Sequence, residues 1–157
     1  MISGCSRTVG IGAGIARKLA ADGWNLAVFA ANVRASWQLI KEFAAQVPAT
    51  GGCIVALTSD ATAGNLPYGA SKGALDRVVL AAARELAHLH ITANVVNPGP
   101  VDTGWMDTST RATLVNLQPT GRLGTPLDVA NWIGFLLSPA GSLINGPLIK
   151  SDGGFSA

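Results

Sequence analysis

The chain has little charge, little sulfur and few aromatic rings. Only 13% of its 157 residues are charged, two are cysteine, and one, Tyr68, is tyrosine. A net charge of +2 is too small, and the lysines and arginines are too dispersed, to build a nucleic-acid surface, so no nucleic-acid partner is expected. Cys5 and Cys53 have neither metal-ligand spacing nor the density of a disulfide scaffold. No metal is therefore expected, and the expected compartment is the reducing cytoplasm. No run approaches 18 consecutive apolar residues, and the N-terminus lacks a basic, long-apolar, cleavable pattern, so no membrane partner is expected. His88 and His90 flank Leu89 near a predicted helix end, where solvated or capping histidines are commoner than bases.

What is abundant is apolar surface and glycine. The chain is 48% hydrophobic and carries 19 glycines, a balance that suits an α/β domain whose strands are buried on both faces. The length predicts a single domain over residues 1–157, able to bury roughly 68–70% of its unfolded surface. The opening reads as strand, glycine-rich turn, helix and strand: Ile11, Ile15 and Leu19 fall at helical spacing, Asp22-Gly23 supplies a stop, and "WNLAVF" suits a buried strand. Val33, Trp37, Ile40 and Ala44 then predict a helix, "CIVALTS" a second buried strand, and Leu75, Val78, Val79, Ala82 and Leu86 a long helix from Tyr68 to about Leu89. "ITANVVN" reads as a strand, residues 108 to 117 as a short helix, Thr125-Pro126 with Asp128 as a capped helix start, and "GPLIKSDGG" as a closing strand and turn.

Four local patterns carry chemistry in this order. Gly4, Gly10 and Gly12 sit where a strand turns into a helix, where a bare backbone can approach a pyrophosphate beside the helix N-terminal donors. Ser59 ends the strand "CIVALTS", at the same edge as the glycine turn. Tyr68 and Lys72 stand four apart, so a phenol and an ammonium share one helix face. Pro98, Gly99 and Thr103 follow the strand ending at Asn97, beyond the carboxyl end of a parallel strand where such sheets bind ligands. Each pattern alone is as well explained by a turn or an amphipathic helix, but the set is harder to dismiss.

These residues resemble the short-chain dehydrogenase/reductase family, near its 3-oxoacyl carrier-protein reductase-like members. The resemblance runs through "SGCSRTVGIG", "NVRASW", "ALTS", "YGASKGAL", "NVVNPGPVDTGW", "GRLGTPLDVA" and "INGPLIKSDGG". It implies a Rossmann-like, doubly wound parallel sheet and an NADP(H)-dependent oxidoreductase interconverting a carbonyl and an alcohol by hydride transfer, with NAD as the alternative cofactor. It implies a catalytic tetrad of Asn32, Ser59, Tyr68 and Lys72. The cofactor would be held by Gly4, Ser6, Arg7, Gly10, Ile11, Gly12, Tyr68, Lys72, Pro98, Gly99, Val101 and Thr103, with Arg7 at the position that favours the 2'-phosphate. Tyr68 would exchange the proton, Ser59 would hold the carbonyl oxygen, Lys72 would bind ribose and stabilise the phenolate, and Asn32 would hold a water linking Lys72 to solvent. A small-molecule carbonyl or alcohol is the implied substrate. A homodimer or homotetramer is implied too, built on helices 32–46 and 68–89, the second lined by Ala70, Ala74, Ala81 and Ala82.

The chain departs from the family pattern in three places. The first strand is only "MIS" before its glycine turn. Ser59 precedes Tyr68 by nine positions, a short gap for the family. The run "AVFAANVRASW" passes from the second strand directly into the asparagine-bearing helix near residues 29–32, so the third and fourth strand units, roughly 60 residues at about 30 each, are missing. Two readings follow: these residues are part of a longer chain, or an internal deletion has left a catalytically silent nucleotide-binding or dimerisation module.

Overall fold

The computed structural model describes residues 29–61, 64–104 and 106–157. The expected opening strand, glycine turn, helix and second strand lie outside the described residues, with Gly4, Ser6, Arg7, Gly10, Ile11 and Gly12; so does Trp105. A π-helical stretch, Ala30–Ala35, runs into helix α1, Ser36–Gln46. Strand β1, Gly52–Leu57, leads to helix α2, Leu66–Glu85, and a short turn of helix at Ala87–Leu89. Strand β2, Ile91–Asn97, is followed by helices α3, Thr108–Leu117, and α4, Pro126–Leu137, and by strand β3, Leu148–Lys150.

The three strands form a wholly parallel sheet in the order β1-β2-β3. β1 and β2 run in register from Gly52 opposite Ile91 to Leu57 opposite Val96, and β3 joins with Leu148 opposite Val95. A parallel pair needs a crossover, and α2 supplies it between β1 and β2. Leu75, Val79, Ala82 and Ala83 of α2 meet Ala93 and Val95 of β2, with Ile40 of α1 and Ile54 and Ala56 of β1 packed at the margin. On the other face of β1 the Sγ of Cys53 approaches the carbonyl of Leu136 at 3.7 Å, which places α4 there. Helices on both faces explain why β2 is buried almost throughout rather than on alternate residues. The arrangement is Rossmann-like.

Sequence signals at the helix ends are realised in the coordinates. Thr125 accepts from the Asp128 amide while Asp128 accepts from the Thr125 amide, a complete capping box with Pro126 in the first turn. Glu85 ends α2, earlier than the apolar spacing predicts. A ring nitrogen of His88 bonds the Glu85 carbonyl at 2.9 Å, and His90, at φ 57°, turns the chain into β2. Both histidines thus serve the helix end.

Two departures concern helix phase. Val33, Ser36, Ile40 and Ala44 turn inward, but Trp37 is 48% exposed. Ser36 takes the inward place between Val33 and Ile40, and Lys41 Nζ lies 4.9 Å from the outward indole of Trp37. Ala82 is buried in the core of its own chain, while Ala70 and Ala81 are exposed. The four alanines therefore do not share the single outer face expected of a helix-pair interface.

Two asparagines, the buried Asn94 and the more exposed Asn145, lock β2 to the segment before β3. Asn94 is fully buried; its amide donates to the Ile144 carbonyl at 2.9 Å and its oxygen accepts from the Gly146 amide at 3.2 Å. Asn145 accepts from the Ala93 amide at 2.9 Å and donates to the Ala83 carbonyl at 2.8 Å, tying α2 to the same seam. Buried polar groups of this kind must be satisfied, and here they are.

Candidate active site

The first turn of α2 begins at Leu66 with Pro67 beside it, a residue whose fixed φ suits a helix start. It places Tyr68 near the carboxyl end of β1 and leaves it 37% exposed. Lys72, one turn on, sits with Nζ 5.6 Å from the centre of the Tyr68 ring, within reach of a cation–π interaction. The same Nζ donates to the Leu57 carbonyl, the last residue of β1, at 2.8 Å. Burial pushes the Lys72 ammonium below its ordinary 10.5, against the opposing pull of the Asp76 carboxylate. A lysine uses three donors at most, so this contact leaves two N–H groups for a ligand.

Asn32 reaches the same helix by a different route from the one expected. Its amide donates to the Ser71 hydroxyl at 2.9 Å, and Ser71, fully buried, donates to the Tyr68 carbonyl at 2.7 Å. The asparagine therefore braces the Tyr68 turn through Ser71 rather than addressing Lys72 directly. Ser71 was legible only as a small residue three after Tyr68, the spacing at which a helical serine bonds back to a carbonyl. Asn32 and Lys72 nevertheless line one trough of about 310 Å³, with Ser36, Ile54, Ala56 and Leu75. Tyr68 and Ser59 do not line it.

Ser59 does not end the strand as expected: β1 stops at Leu57 and Ser59, two residues beyond it, is a loop residue. Its hydroxyl accepts from the Ala61 amide at 3.2 Å in a local turn. Thr58 before it is 5% exposed, and its hydroxyl has no partner among the described residues.

The loop after β2 is fixed by its backbone. Asn97 accepts from the Gly99 amide at 3.1 Å, and Gly99 adopts φ 62°, where a Cβ would lie 2.5 Å from that of Asp152. Only glycine fits so close an approach at that angle. Val101 pairs with Gly124, the Asp102 amide donates to the Gly124 carbonyl at 2.8 Å, and the Gly124 amide donates to Pro100 at 3.1 Å. Pro98, Gly99 and Val101 are half-buried in this brace and Thr103 is exposed beyond it. Asp102 takes the Arg111 Nε–H at 2.7 Å, and that bond, with one from the Gly104 amide, holds its carboxyl below the usual range. Asp152 accepts from Gly154, Ser156 and the Ser156 hydroxyl, and its carboxyl is likewise depressed, mainly by that hydroxyl.

The structure thus brings Tyr68, Lys72 and Asn32 to one corner of the sheet and frames the loop of Pro98 to Thr103 beside the end of β2, with Ser59 near but engaged in its own turn. Among the described residues no cluster of histidine, cysteine, aspartate and glutamate could hold a metal, and no helix is long and apolar enough to cross a membrane.

Comparison with known proteins places this corner in a family. The model of the family described as enoyl-(acyl carrier protein) reductase matches residues 26–156, and the chain belongs to the short-chain dehydrogenase/reductase family. It is 41% identical over 134 residues to the uncharacterized oxidoreductase YjdA of Bacillus subtilis (strain 168), covering 81% of this chain and 53% of that one. It is 35% identical over 136 residues to an NADPH-dependent aldehyde reductase-like protein, chloroplastic, of Arabidopsis thaliana, covering 81% of this chain and 50% of that one. Among solved structures it resembles the angucycline C-6 ketoreductase LanV with bound NADP, with a TM-score of 0.72 and 32% identity over 80% of this chain and 51% of that chain. The chain spans about half the length of the curated relatives it matches.

Proposed function

We propose that the chain carries the catalytic part of an NADP(H)-dependent carbonyl reductase, its 157 residues forming one dinucleotide-binding domain. The observation that supports this best is the Tyr68–Lys72 pair: one helix face, Nζ 5.6 Å from the ring, and the ammonium anchored to the end of β1. The bound nicotinamide would supply the hydride that reduces the carbonyl carbon. As that carbon accepts the hydride, its oxygen takes the electron pair of the broken π bond, and Tyr68 gives that oxygen its hydroxyl proton. The phenolate left behind is stabilised by the Lys72 ammonium and regains a proton from solvent. Lys72 also has donors for the nicotinamide ribose, and the loop of Pro98, Gly99, Val101 and Thr103 would orient the ring. Ser59 would hold the substrate oxygen after its hydroxyl leaves the turn with Ala61. The choice of NADP over NAD rests on Arg7 and on the NADP and NADPH named with the related proteins. We further infer a cytoplasmic protein assembling as a homodimer or homotetramer.

The second reading, a catalytically silent nucleotide-binding or dimerisation module, is favoured by one observation: Ser59 and Tyr68 are not gathered into the trough that Asn32 and Lys72 line. Loss of NADPH absorbance with an aldehyde such as 4-nitrobenzaldehyde separates the two. In the reductase reading the wild type turns over and Tyr68→Phe lowers kcat by about 10²–10⁴-fold with NADPH binding nearly intact. Equal rates in wild type and variant would remove Tyr68 from the chemistry, and NADPH binding without turnover would establish the silent module.

A further inference from the structure

Asn145 is followed by Gly146, and no other asparagine in the chain precedes a glycine. Such a pair loses its amide more readily than others. Glycine has no side chain to obstruct the approach, so its backbone nitrogen can reach the asparagine Cγ and close a succinimide ring. Here both reacting groups are tied down by the seam between α2, β2 and the segment before β3. Asn145 Oδ1 accepts from the Ala93 amide at 2.9 Å, and Nδ2 donates to the Ala83 carbonyl at 2.8 Å. The nitrogen that would attack, that of Gly146, donates to the Ala93 carbonyl at 3.0 Å and to Asn94 Oδ1 at 3.2 Å. Ring closure therefore has to break bonds on both partners.

The same contacts show what deamidation would undo. Ala83 lies in the last turn of α2, where carbonyls lack partners within the helix, and the Asn145 amide supplies one from outside. An ionised carboxylate has no proton to donate there. It would also set a negative charge at the negative end of the helix dipole.

We propose that Asn145–Gly146 is a modification site gated by this seam: closed, the seam preserves the amide; open, it lets the pair deamidate, after which the seam no longer closes as before. The Gly146 nitrogen gives its proton to solvent and bonds to Asn145 Cγ; the Cγ–Nδ2 bond breaks, and the amide leaves as ammonia with a proton from solvent. Water then opens the ring to aspartate or isoaspartate, and Asn145 is exposed enough to admit it. Water is the only co-reactant, and the proposal does not depend on the reductase reading.

The test incubates the intact chain at mildly alkaline pH and follows, by mass spectrometry, amide loss in the tryptic peptide 123–150. Amide loss at Asn145 is expected to be about 100-fold or more slower in the folded chain than in concentrated urea. Asn94→Ala removes one acceptor of the Gly146 amide and the donor to Ile144, and is expected to speed the folded-state reaction about ten-fold or more. If that variant does not fold, the wild type in urea below its unfolding transition serves instead, and the rate is expected to rise before the global transition begins. The modified chain, separated by its added negative charge, is expected to exchange the Ala93 amide for deuterium about ten-fold or more faster. Equal rates in folded and unfolded chains, an intact amide even in concentrated urea, or a rate that rises only with global unfolding overturns the gate. Unchanged exchange at Ala93 in the modified chain overturns the claim that the seam stays open.

Discussion

β2 and α1 flank the same core and are held in different ways. β2 is sealed: every residue but Thr92 is buried, its backbone is paired on both edges, and two asparagines lock its seam with the segment before β3. α1 buries nothing completely and leaves Trp37, Leu39 and Phe43 at 48%, 70% and 38% exposure. Between them lies β1, paired with β2 along one edge and, among the described residues, bordered on the other by the trough that holds Asn32 and Lys72. The difference teaches that the site is built on the seam between a rigid half and a loosely packed one. Tyr68 and Lys72 stand on α2, whose next turns belong to the rigid core, whereas Asn32 reaches them from the loose side through one hydrogen bond to Ser71.

Substitutions can break or sharpen this contrast. The largest effect is expected for Leu75→Ala, which empties a 4% exposed position between α2 and the sheet. Urea denaturation should show a loss of about 2–5 kcal/mol. Asn94→Ala should follow at about 1–3 kcal/mol, because it strands the Ile144 carbonyl, while the Gly146 amide keeps its bond to the Ala93 carbonyl; a loss under half of that would mean the seam is not a lock. Removing the α4 cap with Thr125→Ala should cost about 0.5–2 kcal/mol.

Asp128, in the same cap, gives the contrast a pH dependence. The Arg122 guanidinium, first, and then the Thr125 hydroxyl and amide hold its carboxyl well below 3.8. A depressed carboxylate contributes stability that is present above its unfolded value and lost as pH falls through the folded one. The Tm gap between wild type and Asp128→Asn should therefore be widest at neutral pH and close as pH drops below 3.8. Smallest of all, Leu39→Ala on α1 should change stability by no more than about 0.5 kcal/mol, and a larger loss would show that the loose side is covered in solution.

The sequence made the parallel strands, the bounds of α3 and the capping box of α4 readable, because apolar period and cap chemistry are local. It also made Tyr68 and Lys72 readable as a pair, since four residues on a helix fix a shared face. What it hid depends on contacts far apart in the chain. Asn94 and Asn145 look like ordinary polar residues until the crossover brings residues 144–146 beside β2. The partner of Asn32 could not be read because Ser71 is 39 residues away. The glycine turn from Gly4 to Gly12, expected to hold the dinucleotide, lies outside the described residues.

Tyr68 is the single tyrosine of the chain, and it stands half in water beneath an ammonium. The protein therefore carries a built-in reporter. Biosynthetic incorporation of 3-fluorotyrosine would yield one fluorine resonance, assigned without mutagenesis, from a ring carbon next to the hydroxyl group. Its frequency would follow the charge on Lys72 and the arrival of a dinucleotide or carbonyl compound, in a spectrum with no other signal to confuse it.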